Sequence, residues 1–202
     1  MLKVLAVILS IIATYIFVRY IYIIFERQHL IGKLKNICKK NGYLMQLNRV
    51  SFAGIFVTDP KPDFTIETSG CIYEVNILTT RFRYVCYQFV DKTNMEIIKA
   101  RRGVYLVNKR RPSPSATVDR ISVIRNVRLP YDENYSELAR KSEKTVKNVL
   151  IIFPAPAELT AIKGNGIVCP GDGDYMYDTF YMYFSDGFLQ VLDTNNIADH
   201  QI

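Results

Sequence analysis

The groups in this chain that could carry chemistry are few, and their spacing excludes most reaction classes. The only histidines are His29, beside a long apolar N-terminal run, and His200, in the polar C-terminal end. That distribution argues against a Ser-His-Asp or Cys-His relay and against a histidine-rich metal site. No Cys-x-x-Cys, Walker A, Gly-x-Gly-x-x-Gly or Gly-x-Ser-x-Gly sequence occurs. Cys38, Cys71, Cys86 and Cys169 are scattered within apolar runs, which predicts buried thiols, not a disulfide framework. Asp172, Asp174 and Asp178 crowd one glycine-rich turn but lack the glycine and distal glutamate of an EF-hand, so they read as a solvated turn. Arg101, Arg102, Lys109, Arg110 and Arg111 suit contact with phosphate, of a lipid headgroup before a nucleic acid.

One polar pattern stands out on a β-rich background: Pro62-Asp63-Phe64-Thr65-Ile66-Glu67, followed by Tyr73-Glu74-Val75-Asn76. It resembles the core of the restriction-endonuclease-like, or PD-(D/E)XK, nucleases. In that family a Pro-Asp begins one strand of a hairpin and an acidic-x-Lys triplet lies on the next. The resemblance implies Asp63 and Glu74 as ligands of a divalent metal such as Mg²⁺, acting on the phosphates of nucleic acid. Asn76 stands where the family has Lys, and an amide neither takes a proton from water nor carries the charge. The helix expected before this hairpin contains no acidic residue. Asp63, Glu74 and Asn76 are therefore the candidate site of an alternative reading, a metal-dependent or degenerate nuclease. The plain reading is a hairpin whose Asp63 caps a turn and whose Glu74 faces solvent, and it calls for no cofactor.

A second resemblance covers most of the chain. Lys61–Phe64, Phe153–Glu158, Gly171–Asp174 and Ser185–Leu189 are similar to segments shared by a group of uncharacterised, membrane-anchored proteins of Gram-positive bacteria. It implies an anchored domain and no particular activity.

The elements that must position these residues begin with an anchor. Val4–Val18 has no charge, Arg19 interrupts, and Tyr20–Phe25 continues the apolar run. As a helix, Val4–Phe25 is roughly 33 Å long and crosses a hydrocarbon core of about 30 Å. Arg19 can snorkel, and Tyr15, Phe17, Tyr20, Tyr22 and Phe25 form an interfacial belt at the same end. No small-x-small cleavage site follows, which disfavours a removed signal peptide. Only Lys3 precedes the span, whereas Arg19, Arg27, Lys33, Lys35, Lys39 and Lys40 follow it. The expectation is an outside N-terminus and a cytoplasmic domain. Residues 27–128 carry 19 Lys/Arg against 7 Asp/Glu, a net +12, and residues 129–202 carry 5 against 11, a net −6. The near, basic part is drawn to anionic lipid headgroups. The expected membrane and phosphate contacts are those six residues from Arg19 to Lys40 with Arg101, Arg102, Lys109, Arg110 and Arg111.

Beyond the anchor (1–27), residues 28–41 read as an amphipathic helix with Leu30, Leu34, Ile37 and Cys38 on one face and a stop at Asn41-Gly42. Strands are expected at 43–50, 63–68, 71–78, 82–90, 95–100, 104–107 and 120–129. Asp132–Lys147 is expected as the second main helix and Val149–Phe153 as a central buried strand. Hairpins are expected at Ser69-Gly70 and around Lys163–Gly166, a last strand at 179–184, and a short helix at 187–192. The expected fold class is α+β: a transmembrane helix, then one domain (42–193) with a mostly antiparallel sheet and two main helices, and a polar tail (194–202). The expected function is a membrane-anchored, non-catalytic module that binds a protein partner or the bilayer surface.

Overall fold

A computed structural model of the protein describes residues 2–48, 62–80, 85–99, 123–129, 131, 144–164 and 166–198. The fold is α+β and mostly sheet, with two helices among the described residues.

Helix α1 runs unbroken from Leu2 to Asn41, so the expected anchor and amphipathic helix are one element, about 60 Å long. Its two halves differ in surroundings. In the second half Leu30, Leu34 and Cys38 are buried, while Lys33, Lys35, Lys39 and Lys40 are exposed. In the first half large apolar side chains stand exposed, among them Ile11, Tyr15, Phe17, Val18, Tyr22 and Phe25. Among the described residues, no helix is long and apolar enough to cross a membrane. The side chains of Val4, Ala6, Leu9, Ile12, Ala13, Ile16, Arg19 and Tyr20 are not among those described. The helix stops where expected. Gly42 takes the left-handed conformation (φ 71°), and the Tyr43 N–H donates to the Cys38 carbonyl at 2.8 Å, closing a Schellman turn.

The expected mostly antiparallel sheet is in fact two sheets. The first is built from β1 (Leu44–Leu47), β2 (Phe64–Glu67), β3 (Cys71–Thr79), β7 (Thr145–Phe153), β11 (Phe180–Phe184) and β10 (Asp174–Met176), in that order. The second is β6 (Val123–Arg128), β5 (Asn94–Lys99), β4 (Val85–Phe89), β8 (Glu158–Lys163) and β9 (Gly166–Val168). Each has antiparallel flanks and a parallel centre: β3 with β7 and β7 with β11 in the first, β4 with β8 in the second. Parallel neighbours need crossovers and burial on both faces. The apolar run Val149–Ile152 meets that demand, with all four residues buried. The strand begins earlier than expected: Thr145–Lys147, assigned above to a helix, already pair with Cys71–Tyr73. Residues 132–143 of that helix, the strand at 104–107, and Arg101, Arg102, Lys109, Arg110 and Arg111 lie outside the described residues.

Both expected hairpins form. Thr68 and Cys71 close the first, backbone N–H to carbonyl at 2.9 Å, and Lys163 pairs with Gly166 across the second. Tyr177 and Asp178, both at positive φ, turn β10 into β11. Helix α2 (Ser185–Ala198) is longer than expected at both ends and takes in the start of the predicted tail. Its N-terminal end is held by Asp172, which accepts from the Phe184 N–H at 2.5 Å.

Two cores result. Leu30, Leu34 and Cys38 of α1, with Phe188 and Leu192 of α2, pack on Phe64, Ile66, Tyr73, Val75, Ile77, Val149 and Ile151. The opposite face of the first sheet presents Leu78, Leu150, Ile152, Phe180 and Met182 to Tyr87, Phe89, Met95, Ile97 and Ala161 of the second.

Two glycines in helices should respond with opposite signs. A Cβ at Gly32 meets nothing within 4 Å, whereas one at Gly187 would meet the Asp172 carboxyl carbon at 2.4 Å. Gly32→Ala is expected to stabilise by about 0.5–1 kcal/mol. Gly187→Ala is expected to cost about 1 kcal/mol by displacing the capping carboxylate. Thermal unfolding of the purified chain checks both.

Candidate functional site: the Asp63–Glu74–Asn76 hairpin

The β2–β3 hairpin places the three candidate residues. Asp63 immediately precedes β2, and Glu74 and Asn76 lie within β3. All three are buried, at 8%, 2% and 1% exposure. Strand alternation separates their surroundings. Tyr73, Val75 and Ile77 point at the two helices, so Glu74 and Asn76 occupy the opposite face with Leu78.

Asp63 does not join them in an open carboxylate pair. Its Oδ1 meets Arg27 Nη2 of α1 at 3.0 Å, and its Oδ2 accepts from the Ile77 N–H at 2.8 Å. The second bond extends the β2–β3 pairing through a side chain, one residue ahead of the start of β2. The Asn48 N–H donates to the Asp63 carbonyl at 3.1 Å, so β1 is tied in as well. Arg27 is thus held by a buried carboxylate, not presented at a headgroup: both side chains are about one-tenth exposed. Lys40 bonds Asp193 at 2.9 Å on the surface, a contact of little energetic weight.

Glu74 is a different kind of carboxylate. Its register partners are Thr65 on β2 and Asn148 on β7. Glu74 Oε2 and Asn148 Oδ1 are both buried without a hydrogen-bond partner among the described residues, while Asn148 Nδ2 donates to the Thr179 carbonyl at 3.1 Å. Desolvation pushes the Glu74 carboxyl up from 4.5 to about 7. Burial likewise pushes the Cys38 and Cys86 thiols up to about 11, which keeps both protonated and poor nucleophiles. All four cysteines are free; Cys169 is exposed, contrary to the expectation of burial.

This donor set does not fit a divalent metal. Asp63 has given both oxygens away, the guanidinium of Arg27 already balances its charge, and Asn76 contributes no cation. Among the described residues, no three His, Cys, Asp or Glu side chains are grouped to hold a metal ion. Two aspartates of the glycine-rich turn act as internal acceptors: Asp174 Oδ2 takes the Gly171 N–H at 2.8 Å, and Asp172 Oδ1 takes that of Phe184. No family model matches the chain, and neither a curated protein nor a solved structure matches it.

Sequence reasoning missed the roles of Arg27 and Asn148. Arg27 was legible in one respect: it sits three residues before Leu30, on the stripe that Leu34 and Cys38 continue. A cation on a buried stripe requires a carboxylate partner. The pairing of Glu74 with Asn148 was not legible, because it depends on the register of two strands about seventy residues apart.

Two outcomes follow. Arg27→Met or Asp63→Leu alone should destabilise the folded domain by about 3–5 kcal/mol, and the double variant should recover most of that loss; a double-mutant cycle by thermal unfolding measures the coupling. Glu74 has a raised folded pKa, so its proton is bound more tightly in the folded state. Its contribution should be constant below about pH 4.5 and decline as pH rises to about 7, by at most about 3 kcal/mol. Glu74→Gln should flatten that decline in a series of unfolding curves.

Proposed function

We propose that the chain is a single-pass membrane-tethered module: the first half of α1 crosses the bilayer and holds a non-catalytic α+β domain against it. The observation that carries this reading is the contrast along one helix. The second half of α1 buries its apolar stripe on the first sheet. The first half exposes Ile11, Tyr15, Phe17, Val18, Tyr22 and Phe25, each about half or more exposed. An apolar surface of that extent is costly in water, at about 25 cal/mol per Å², and a bilayer covers it on every side. The charges after the span favour an outside N-terminus and a cytoplasmic domain. Exposed Lys33, Lys35 and Lys39 support attraction to anionic headgroups.

A degenerate relative of the PD-(D/E)XK nucleases is the second reading. What favours it is the hairpin itself, with Asp63 at the head of one strand and Glu74 and Asn76 on the next. In this reading the Arg27 guanidinium has replaced a metal as the partner of Asp63.

The expected behaviour is retention in the membrane fraction through alkaline carbonate extraction. A reporter fused after Ile202 should be active only when it functions inside the cell. Release by carbonate, or a reporter active only outside, overturns the anchor or its direction respectively. The purified chain should not cleave DNA with Mg²⁺; cleavage that Asp63→Ala abolishes would establish the nuclease instead.

A further inference from the structure

The Arg27–Asp63 pair fixes which end of the domain lies nearest the anchor. Arg27 is two residues past Phe25, about 3 Å further along the helix. Asp63 links it to Ile77 of β3 through contacts of 3.0 and 2.8 Å. At the other end of the docked half, α1 turns at Gly42 into β1, where Leu44 pairs with Glu67 and Glu67 with Ile72. The five steps from Ile72 to Ile77 thus cover about 16 Å alongside a helix segment of about 21 Å. β3, and β7 parallel to it, both point toward the anchor.

The two strands continue past Arg27. Thr79 pairs with Phe153, two residues and about 7 Å beyond Ile77. That distance equals about five residues of helix, which brings Phe153 level with Tyr22–Phe25 of α1. There the chain turns through Pro154-Ala155-Pro156-Ala157, with Pro154, Ala155 and Ala157 exposed. The turn has no charge and no polar side chain. Its two prolines have no N–H to desolvate. Thr80 satisfies two carbonyls: its N–H donates to Phe153 O at 2.9 Å and its hydroxyl donates to Pro154 O. The opposite end of the sheet is polar, with Lys144 bonded to Glu67 at 2.8 Å beside the Ser69-Gly70 turn.

We propose that the Pro154–Ala157 turn seats in the headgroup region of the bilayer, a second membrane contact beside the anchor that holds the domain in one orientation. The proposal rests on the reading of α1 as a membrane span. A four-residue apolar turn adds little affinity of its own; its effect is to remove the freedom of a domain already tethered at Arg27.

The chain contains no tryptophan, so one introduced indole reports alone. Full-length Ala155→Trp and Ser69→Trp variants are reconstituted in vesicles of phosphatidylcholine and phosphatidylglycerol, with and without brominated acyl chains. The Ala155→Trp emission should be blue-shifted and lose about half or more of its intensity to the brominated lipid, as an indole at interfacial depth does. Ser69→Trp should keep a solvent-like, unquenched emission. Ala157→Trp supplies the same readout if Ala155→Trp does not fold. Vesicles that float with the chain while the turn stays unquenched overturn this inference and leave the anchor standing. Equal quenching at both positions overturns it too. A chain that does not float overturns both readings together.

Discussion

One buried ion pair ties this molecule together. Arg27 and Asp63 lie thirty-six positions apart, and their contact joins four pieces of structure: α1, the end of β1, the start of β2 and the C-terminal part of β3. The energy of a buried pair is ambiguous, since desolvation offsets much of the Coulomb attraction. Its geometry is not ambiguous. A guanidinium on a helix can meet a carboxylate on a strand at one axial position and one rotation only. The apolar stripe of Leu30, Leu34 and Cys38 is tolerant of a slip by a turn, because any apolar residue can replace another in the core; the ion pair is not.

That constraint organises the first sheet. With α1 fixed, Tyr73, Val75 and Ile77 must face the helices, and Glu74 and Asn76 must face away. The second face then divides along the strands. Toward the Arg27 end it is apolar, with Leu78, Leu150 and Ile152 packed on the second sheet. Away from it lie Thr65, Glu74 and Asn148, polar and in register. A slip of one residue between β3 and β7 would drive Glu74 toward the helix core and expel Val75. The polar row costs stability, and it also disfavours the one-residue slips that would turn it toward the helices.

Local signals were readable in the sequence, and long-range ones were not. Leu30, Leu34 and Cys38 announced a docked helix face, Asn41-Gly42 announced its end, and Ser69-Gly70 and Gly164 announced hairpins, because each depends on neighbours within a few residues. Val149–Ile152 announced a buried strand by being uniformly apolar. The start of that strand was misread because Lys144 and Lys147 continue the charge spacing of a helix. In the fold they serve other ends: Lys144 bonds Glu67, and Lys147 lies 5.9 Å from the ring centres of Tyr73 and Tyr181. The division into two sheets was also hidden. Strand composition gives the number of strands and their faces, but no single run of residues states which strand will sit beside it.

The same distinction applies to the candidate site. Pro62-Asp63 and Glu74-Val75-Asn76 are short enough to be read as a motif, and the hairpin they imply is present. What a motif cannot contain is the residue from another element that takes its charge. Arg27 supplies that charge from α1, and it does so one helical turn before the first buried leucine. A carboxylate with both oxygens committed to a guanidinium and a backbone N–H is a structural fixture. It holds a helix to a sheet at a set height, and with the first half of α1 read as a membrane span that height is measured from the bilayer. The hairpin's acidic residue is thereby better explained by where the domain must sit than by a reaction it must perform.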